Sequence, residues 1–233
     1  MTTRSGQFAR GLRAGVPILL GFFPVALSYA VIARQAGFSA GQIALMSLTV
    51  FAGASQIMAA GMVIQGASLA AIVLATFLLN LRHVIMSTCV FEQMAPSRRL
   101  PRLLAAYWVT DEAFAFYTTG TKKEEQTVWF FLGLGLGTYL GWVVGSVLGA
   151  LLTDFLPPMV SASLGVALYA LFLALLMPGL KGNGRLAVLV LLTAVCNTLL
   201  SRVMAGSWAL IVSTLLCALA GVFFVDLGEE ESA

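Results

Sequence analysis

Hydrophobic residues run along this chain in long stretches, and the charges gather at their ends. Stretches free of Asp, Glu, Lys and Arg cover residues 14–33, 35–81, 126–153, 155–180 and 203–225. Each reaches the roughly 20 residues that carry a helix across about 30 Å of hydrocarbon, and 35–81 has room for two. Residues 186–201 are shorter, but they are bounded by Arg185 and Arg202, whose long stems reach the interface. The pattern predicts about seven long hydrophobic segments, or eight if residues 103–120 join them. The expected fold is all-α, a polytopic helical integral membrane protein with about seven to eight membrane segments, some broken or re-entrant.

Composition narrows the class further. The 233-residue chain is 60% hydrophobic and 10% charged, with mean hydropathy +0.96, so it has too few polar groups to coat an aqueous surface. The longest polar interruptions, 92–102 and 119–126, are too short for a folded aqueous domain. We therefore expect a single transmembrane domain over 1–228 and a short acidic tail at 229–233. The N-terminus lacks a short apolar stretch followed by a small-residue cleavage site, and its Arg4, Arg10 and Arg13 precede a full-length span. It reads as uncleaved and cytoplasmic. The net charge of +3 implies no nucleic-acid partner, because the basic residues sit at span ends, where they orient the chain. Cys89, Cys196 and Cys217 are odd in number and widely spaced inside apolar runs, which argues against a disulfide framework or a zinc site.

Orientation carries one conflict. If every segment crosses once from an inside N-terminus, Arg98, Arg99 and Arg102 fall outside, against the positive-inside rule at its strongest cluster. If instead 41–65 and 103–120 each enter and leave on one side, those arginines return inside with Lys122, Lys123, Lys181 and Arg185, leaving Arg34 and Arg202 outside. Charge bias favours broken or re-entrant segments at both places. Both carry marks of a break: Ala52-Gly-Ala-Ser-Gln56 combines a glycine with two side chains able to bond freed backbone groups, and 103–120 contains Asp111-Glu112. That acidic pair is too costly for a lipid-facing helix centre.

The segment opening at Ser68 carries Thr76, Asn80, His83 and Ser87 at steps of four, three and four, one polar stripe. Amide and imidazole groups facing lipid would be left unpaired at a cost of several kcal/mol, so the stripe faces helices or water, either as interhelical glue or as a site. Arg82 lies off the stripe and has two readings. Buried, its guanidinium suits a carboxylate held bidentately; at the headgroups it is a topological anchor. Of the acidic pair only one member can be buried on a helix, and we favour Asp111; the alternative is an interfacial amphipathic helix whose acids face water. Gly133, Gly137, Gly141, Gly145 and Gly149 form a bare ridge for close helix packing, with the partner helix in this chain or in another subunit. Pro17 and Pro24 are expected to interrupt the first span near mid-membrane.

Absences narrow the field. No phosphate-binding G-x-x-x-x-G-K-[ST] loop, G-x-S-x-G or H-E-x-x-H string occurs, and the one histidine excludes a metal or haem site with two histidine ligands. No catalytic residue, metal or cofactor is expected.

The strings Gly15-Val-Pro17, Gly21-Phe-Phe-Pro24, Val50-Phe-Ala-Gly-Ala-Ser-Gln56, Asn80-Leu-Arg-His83 and Thr110-Asp-Glu-Ala-Phe114, in this order and spacing, resemble the AzlC family over nearly the whole chain. AzlC is the large subunit of bacterial branched-chain amino acid exporters. The resemblance implies a multi-pass protein of the cytoplasmic (inner) membrane that works with a small membrane subunit, AzlD, to move valine, leucine or isoleucine outward as a secondary transporter and not as an enzyme. The residues themselves suggest where such a substrate would sit: Gly53, Ser55, Gln56, Asn80, Arg82 and Asp111 would surround it, with a helix break at Pro24 and Gly53. His83 and Asp111 would couple protons, and Phe51, Met58 and Phe114 would take a branched side chain. Two other classes remain open: a substrate-capture membrane subunit of an ATP-driven importer, and an intramembrane enzyme using Asp111 and Glu112.

Overall fold

The structure is a computed structural model describing residues 3–122, 126–155, 159, 163, 173, 176–177, 180–181 and 183–224. The helices are α1 (Arg4–Ala14), α2 (Val16–Gln35), α3 (Ala40–Thr49), α4 (Gly53–Ile64), α5 (Leu69–Gln93), α6 (Arg99–Tyr107), α7 (Asp111–Thr119) and α8 (Val128–Leu152). Also described are a short 3₁₀ turn at Thr153–Phe155 and two further helices, labelled α9 (Gly184–Leu200) and α10 (Gly206–Phe224). The tail at 229–233 lies outside the described residues.

Helix starts follow from local chemistry. Ser39 and Gln42 form a reciprocal capping box at the head of α3, with Ser39 N–H to Gln42 Oε1 at 2.8 Å and Gln42 N–H to Ser39 Oγ at 3.2 Å. Thr110 Oγ1 accepts from Ala113 N–H at 3.2 Å to start α7, whose first turn holds Asp111 and Glu112, the charge sign a helix N-terminus favours. Thr127 does the same for α8. Gly37, with φ of 89°, makes the left-handed turn between α2 and α3.

Among the described residues, three helices, α2, α5 and α8, are long and apolar enough to cross a membrane. The 25 residues of α8 span about 37 Å at about 1.5 Å per residue. By the same measure α3, α4, α6 and α7 reach only about 14–18 Å each, half the hydrocarbon.

The chain falls into two compact units, one of residues 1–64 and 76–168 and the other of 65–75 and 169–233. In the first, the glycine ridge of α8 fixes how the long helices lie. A Cβ on Gly141 would come 2.8 Å from Leu19, one on Gly145 2.8 Å from Ala26 and one on Gly149 2.8 Å from Ala30; at Gly133 and Gly11 it would overlap the backbone carbonyls of Phe8 and Phe130. The partner surface is thus α1 and α2 of the same chain, with Gly137 against Leu12. Numbering climbs together along both surfaces, so α1 and α2 run parallel to α8.

The end of α8 at Val128 can be called near and the end at Leu152 far. From the far end, α3 returns to mid-depth, where Tyr139 Oη of α8 donates to the Leu48 carbonyl at 2.9 Å. The chain then unwinds over Val50–Ala52, and α4 leaves along Trp142 and Tyr29, back toward the far end. Helix α5 runs to the near end, where Gln126 Nε2 donates to Gln93 Oε1 at 3.2 Å and Ala95 N–H to the Gln126 carbonyl at 2.9 Å. From there α6 enters to mid-depth, unwinds over Trp108–Thr110, and α7 returns with Tyr117 against Phe130 and Phe131 of the near end. A crossing helix followed by a broken hairpin therefore occurs twice, in opposite senses. Arg98 lines one near-end cavity with Arg4, so the arrangement in which every segment crosses once does not hold at 41–65 or 103–120.

Two expected details are corrected. The first break lies at Val50–Ala52, one residue ahead of Gly53, and Gly53–Gln56 are already helical. Helix α2 continues through Pro24: the ring removes the one N–H that would reach the Leu20 carbonyl, while the Pro24 carbonyl itself accepts from Ser28 Oγ at 3.0 Å.

In the second unit, α9 and α10 pack antiparallel. Leu189 lies over Gly221, and Ser213 Oγ donates to Asn197 Oδ1 at 3.4 Å.

Candidate functional site

The two breaks meet at the middle of α8, on a face lined by Gly135, Tyr139 and Trp142. Phe51 of the first break packs edge-on to Tyr139, with ring centroids 5.3 Å apart, and Trp108 of the second lies 6.0 Å from the same ring. Each hairpin touches α8 through a glycine: a Cβ on Gly53 would sit 2.5 Å from the Trp142 ring, and one on Gly135 2.6 Å from Trp108 Cβ. Breaking α3 frees carbonyls that hydrocarbon cannot solvate. The one on Leu48 accepts from two phenols, Tyr107 Oη at 2.6 Å and Tyr139 Oη at 2.9 Å.

Opposite this aromatic wall, mid-helix α5 reaches both hairpins. Ser55 Oγ at the start of α4 donates to Asn80 Oδ1 at 2.6 Å. Arg82 Nη1 meets Asp111 Oδ2 at the start of α7 at 2.9 Å, with the two side chains 34% and 33% exposed. The His83 ring lies within the field of both charges and faces the Asn80 backbone. Glu112 turns back on its own N–H and the Thr110 hydroxyl. Arg82 is thus paired at mid-depth, and its long side chain brings a residue off the polar stripe into the cluster.

Gln56 is fully buried and accepts from Trp142 Nε1 at 2.8 Å. Because the indole only donates, the amide presents Oε1 to it, and Nε2 is left toward Tyr29 with no hydrogen-bond partner among the described residues. Gln56 therefore ties α4 to α8 and α2 and does not face the ion pair. Phe51, 6% exposed, is spent on the Phe22 and Tyr139 rings, and Phe114 packs against the core around Ala113 and Val109. Residues 133, 137, 141, 145 and 149 and Pro24 lie away from the cluster, on the α1–α2–α8 packing surface and within α2.

The sequence reading missed Tyr107, Trp108, Tyr139 and Trp142. The signal was present in the spacing: Gly135, Tyr139, Trp142 and Ser146 fall at steps of four, three and four, a second face of α8 beside the glycine ridge.

Helices that cross the bilayer and two opposed half-helix hairpins meeting at mid-depth define a polytopic membrane protein with a central polar cluster. The AzlC protein family matches residues 17–156, which hold every residue of that cluster, and the chain belongs to this family. It is 38% identical to an uncharacterized membrane protein of Archaeoglobus fulgidus over 78% of this chain and 80% of the relative. It is 29% identical to the inner membrane protein YgaZ of Escherichia coli over 97% and 95%, and 30% identical to an uncharacterized membrane protein of Helicobacter pylori over 47% of each. No solved structure matches.

Proposed function

We propose that the chain is a secondary transporter that exports branched-chain amino acids such as valine, leucine and isoleucine, together with a small AzlD-like membrane subunit. The observation that carries this reading is the Arg82–Asp111 pair at mid-depth between two broken hairpins. Transporters place substrate sites at such discontinuous helices. An amino acid zwitterion carries the same two charges as the pair. Its carboxylate replaces Asp111 on the planar guanidinium, and its ammonium takes the released Asp111 carboxylate, so no net charge is added at the midplane. The first N–H groups of α4 point the same way electrostatically and assist the carboxylate. Ser55 and Asn80 position the start of α4, and His83 and Asp111 carry the coupling proton.

Selection among Val, Leu and Ile is loose, because one methylene is worth only about 1–3 kcal/mol. The near end, with Arg4, Arg10, Arg13, Arg98, Arg99, Arg102 and Lys122, faces the cytoplasm of a bacterial inner membrane by the positive-inside rule.

The test is uptake of radiolabelled valine by proteoliposomes, with and without a pH gradient and the small subunit, and without ATP. Gradient-driven flux is expected, and Arg82→Gln, Asp111→Asn and His83→Ala, inserted normally, each reduce it at least tenfold. Unchanged flux in Asp111→Asn and His83→Ala ends the proposal. Flux that appears only with ATP and a separate ATPase assigns the chain instead to an importer.

A further inference from the structure

A second polar feature lies at the near end, apart from the central cluster. A cavity of about 580 Å³ opens between the head of α1, the 95–101 segment and the head of α8, lined among others by Arg4, Gln7, Ser97, Arg98, Thr127 and Trp129. Among the described lining residues the charge is all positive. Arg4 stacks over the Trp129 ring at 5.5 Å, which fixes the guanidinium without neutralising it. Arg98 forms the head of α6 with no side-chain cap and no acidic residue in the first turn, so the helix end adds unopposed positive character. The Ser97 hydroxyl is buried without a hydrogen-bond partner among the described residues, and no carboxylate is found among the described lining residues. Gln7 and Thr127 are already bonded to each other at 2.8 Å and brace the wall.

Two guanidiniums, a helix start and a free hydroxyl around one cavity are the donor set of a phosphate group. The surroundings decide its source. Leu100 and Leu103, both 68% exposed, stand on α6 beside the mouth, where acyl chains can run, and Trp129 has the amphipathic ring common at headgroup depth. We propose that this cavity binds the headgroup phosphate of an anionic phospholipid in the near-side leaflet. The bound lipid bridges α1, α6 and α8, and so pins the root of the second broken hairpin.

The experiment counts lipid retained by the purified full chain in neutral detergent, by native mass spectrometry, with phosphatidylglycerol and phosphatidylcholine in competition. One basic residue at an anionic surface is worth about fivefold, so two predict a preference of about 25-fold for phosphatidylglycerol. Arg4→Gln and Arg98→Gln each lower it about fivefold, while Arg13→Gln, exposed on α1 away from the cavity, leaves it unchanged; matched thermal melting of the variants checks folding. No preference between the lipids, or an equal loss in Arg13→Gln, overturns the site. Displacement of the lipid by inorganic phosphate with the same variant dependence overturns the lipid assignment in favour of a soluble phosphate compound.

Discussion

Removing one partner of the Arg82–Asp111 pair leaves a charge at mid-membrane without its counter-charge. At 2.9 Å the attraction is about 6 kcal/mol at an effective dielectric of about 20 and about 1.4 kcal/mol in bulk water. With each side chain one-third exposed, solvent screening takes most of the larger figure, and a coupling of about 2 kcal/mol is expected. At about 2–4 °C per kcal/mol for a chain of this size, Arg82→Gln or Asp111→Asn lowers the thermal midpoint in detergent by about 4–8 °C. The double variant, which strands no charge, recovers to within about 2 °C of the parent. Tryptophan fluorescence melts of the four proteins close the cycle. On the proposed function transport should behave differently: valine flux should stay at least tenfold down in the double variant, because a zwitterion would need both charges. Single-variant shifts that add in the double would refute the coupling, and recovery of flux in the double would show that the pair is structural glue.

Three further outcomes follow from the packing. With Cys89, Cys196 and Cys217 replaced by Ala, cysteines at positions 4 and 98 should react with a membrane-impermeant thiol reagent from the same side and one at position 34 from the other; labelling of 4 and 98 from opposite sides would sink the re-entrant topology. Gly145→Val and Gly11→Ala should each cost about 1–3 kcal/mol by overpacking, read as a fall in thermal midpoint, whereas Gly21→Ala, which meets nothing within 4 Å, should fall by less than a degree or two. Trp142→Phe keeps a ring but strands the buried Gln56 Oε1, at about 1–3 kcal/mol, and Gln56→Leu added to it should restore part of the lost midpoint.

Much of this architecture was legible because lipid makes backbone polarity expensive. Ser55 and Asn80 stand in a run free of charged residues, Arg82 ends it, and Asp111 belongs to the lone acidic pair of 103–120, while the arginines at 98–102 contradicted any count in which every segment crosses. The position of the first break was not legible. Gly53 suggested it, but the unwound residues are Val50–Ala52, because freed carbonyls are tolerated only where tertiary partners wait, and Tyr107 and Tyr139 stand 59 and 91 residues away. The reach of Arg82 was hidden for a related reason. Helical angles place a Cα, whereas a four-bond stem decides where the guanidinium goes. Pro24 read as a break because the cost of a lost N–H is local, while the surface that α2 packs against lies on α8.

The doubly bonded carbonyl of Leu48 has a kinetic consequence. One of its donors, Tyr107, rides on the near-side hairpin; the other, Tyr139, belongs to the long helix against which both hairpins rest. If the proposed transport cycle moves the second hairpin away from the first, Leu48 would keep a partner in Tyr139. The motion then forfeits one hydrogen bond, about 1 kcal/mol net, and avoids stranding a bare carbonyl in hydrocarbon at several kcal/mol. On that reading Tyr139 would be a spare partner, and Tyr139→Phe should slow the proposed transport even though Tyr107 still holds the resting contact.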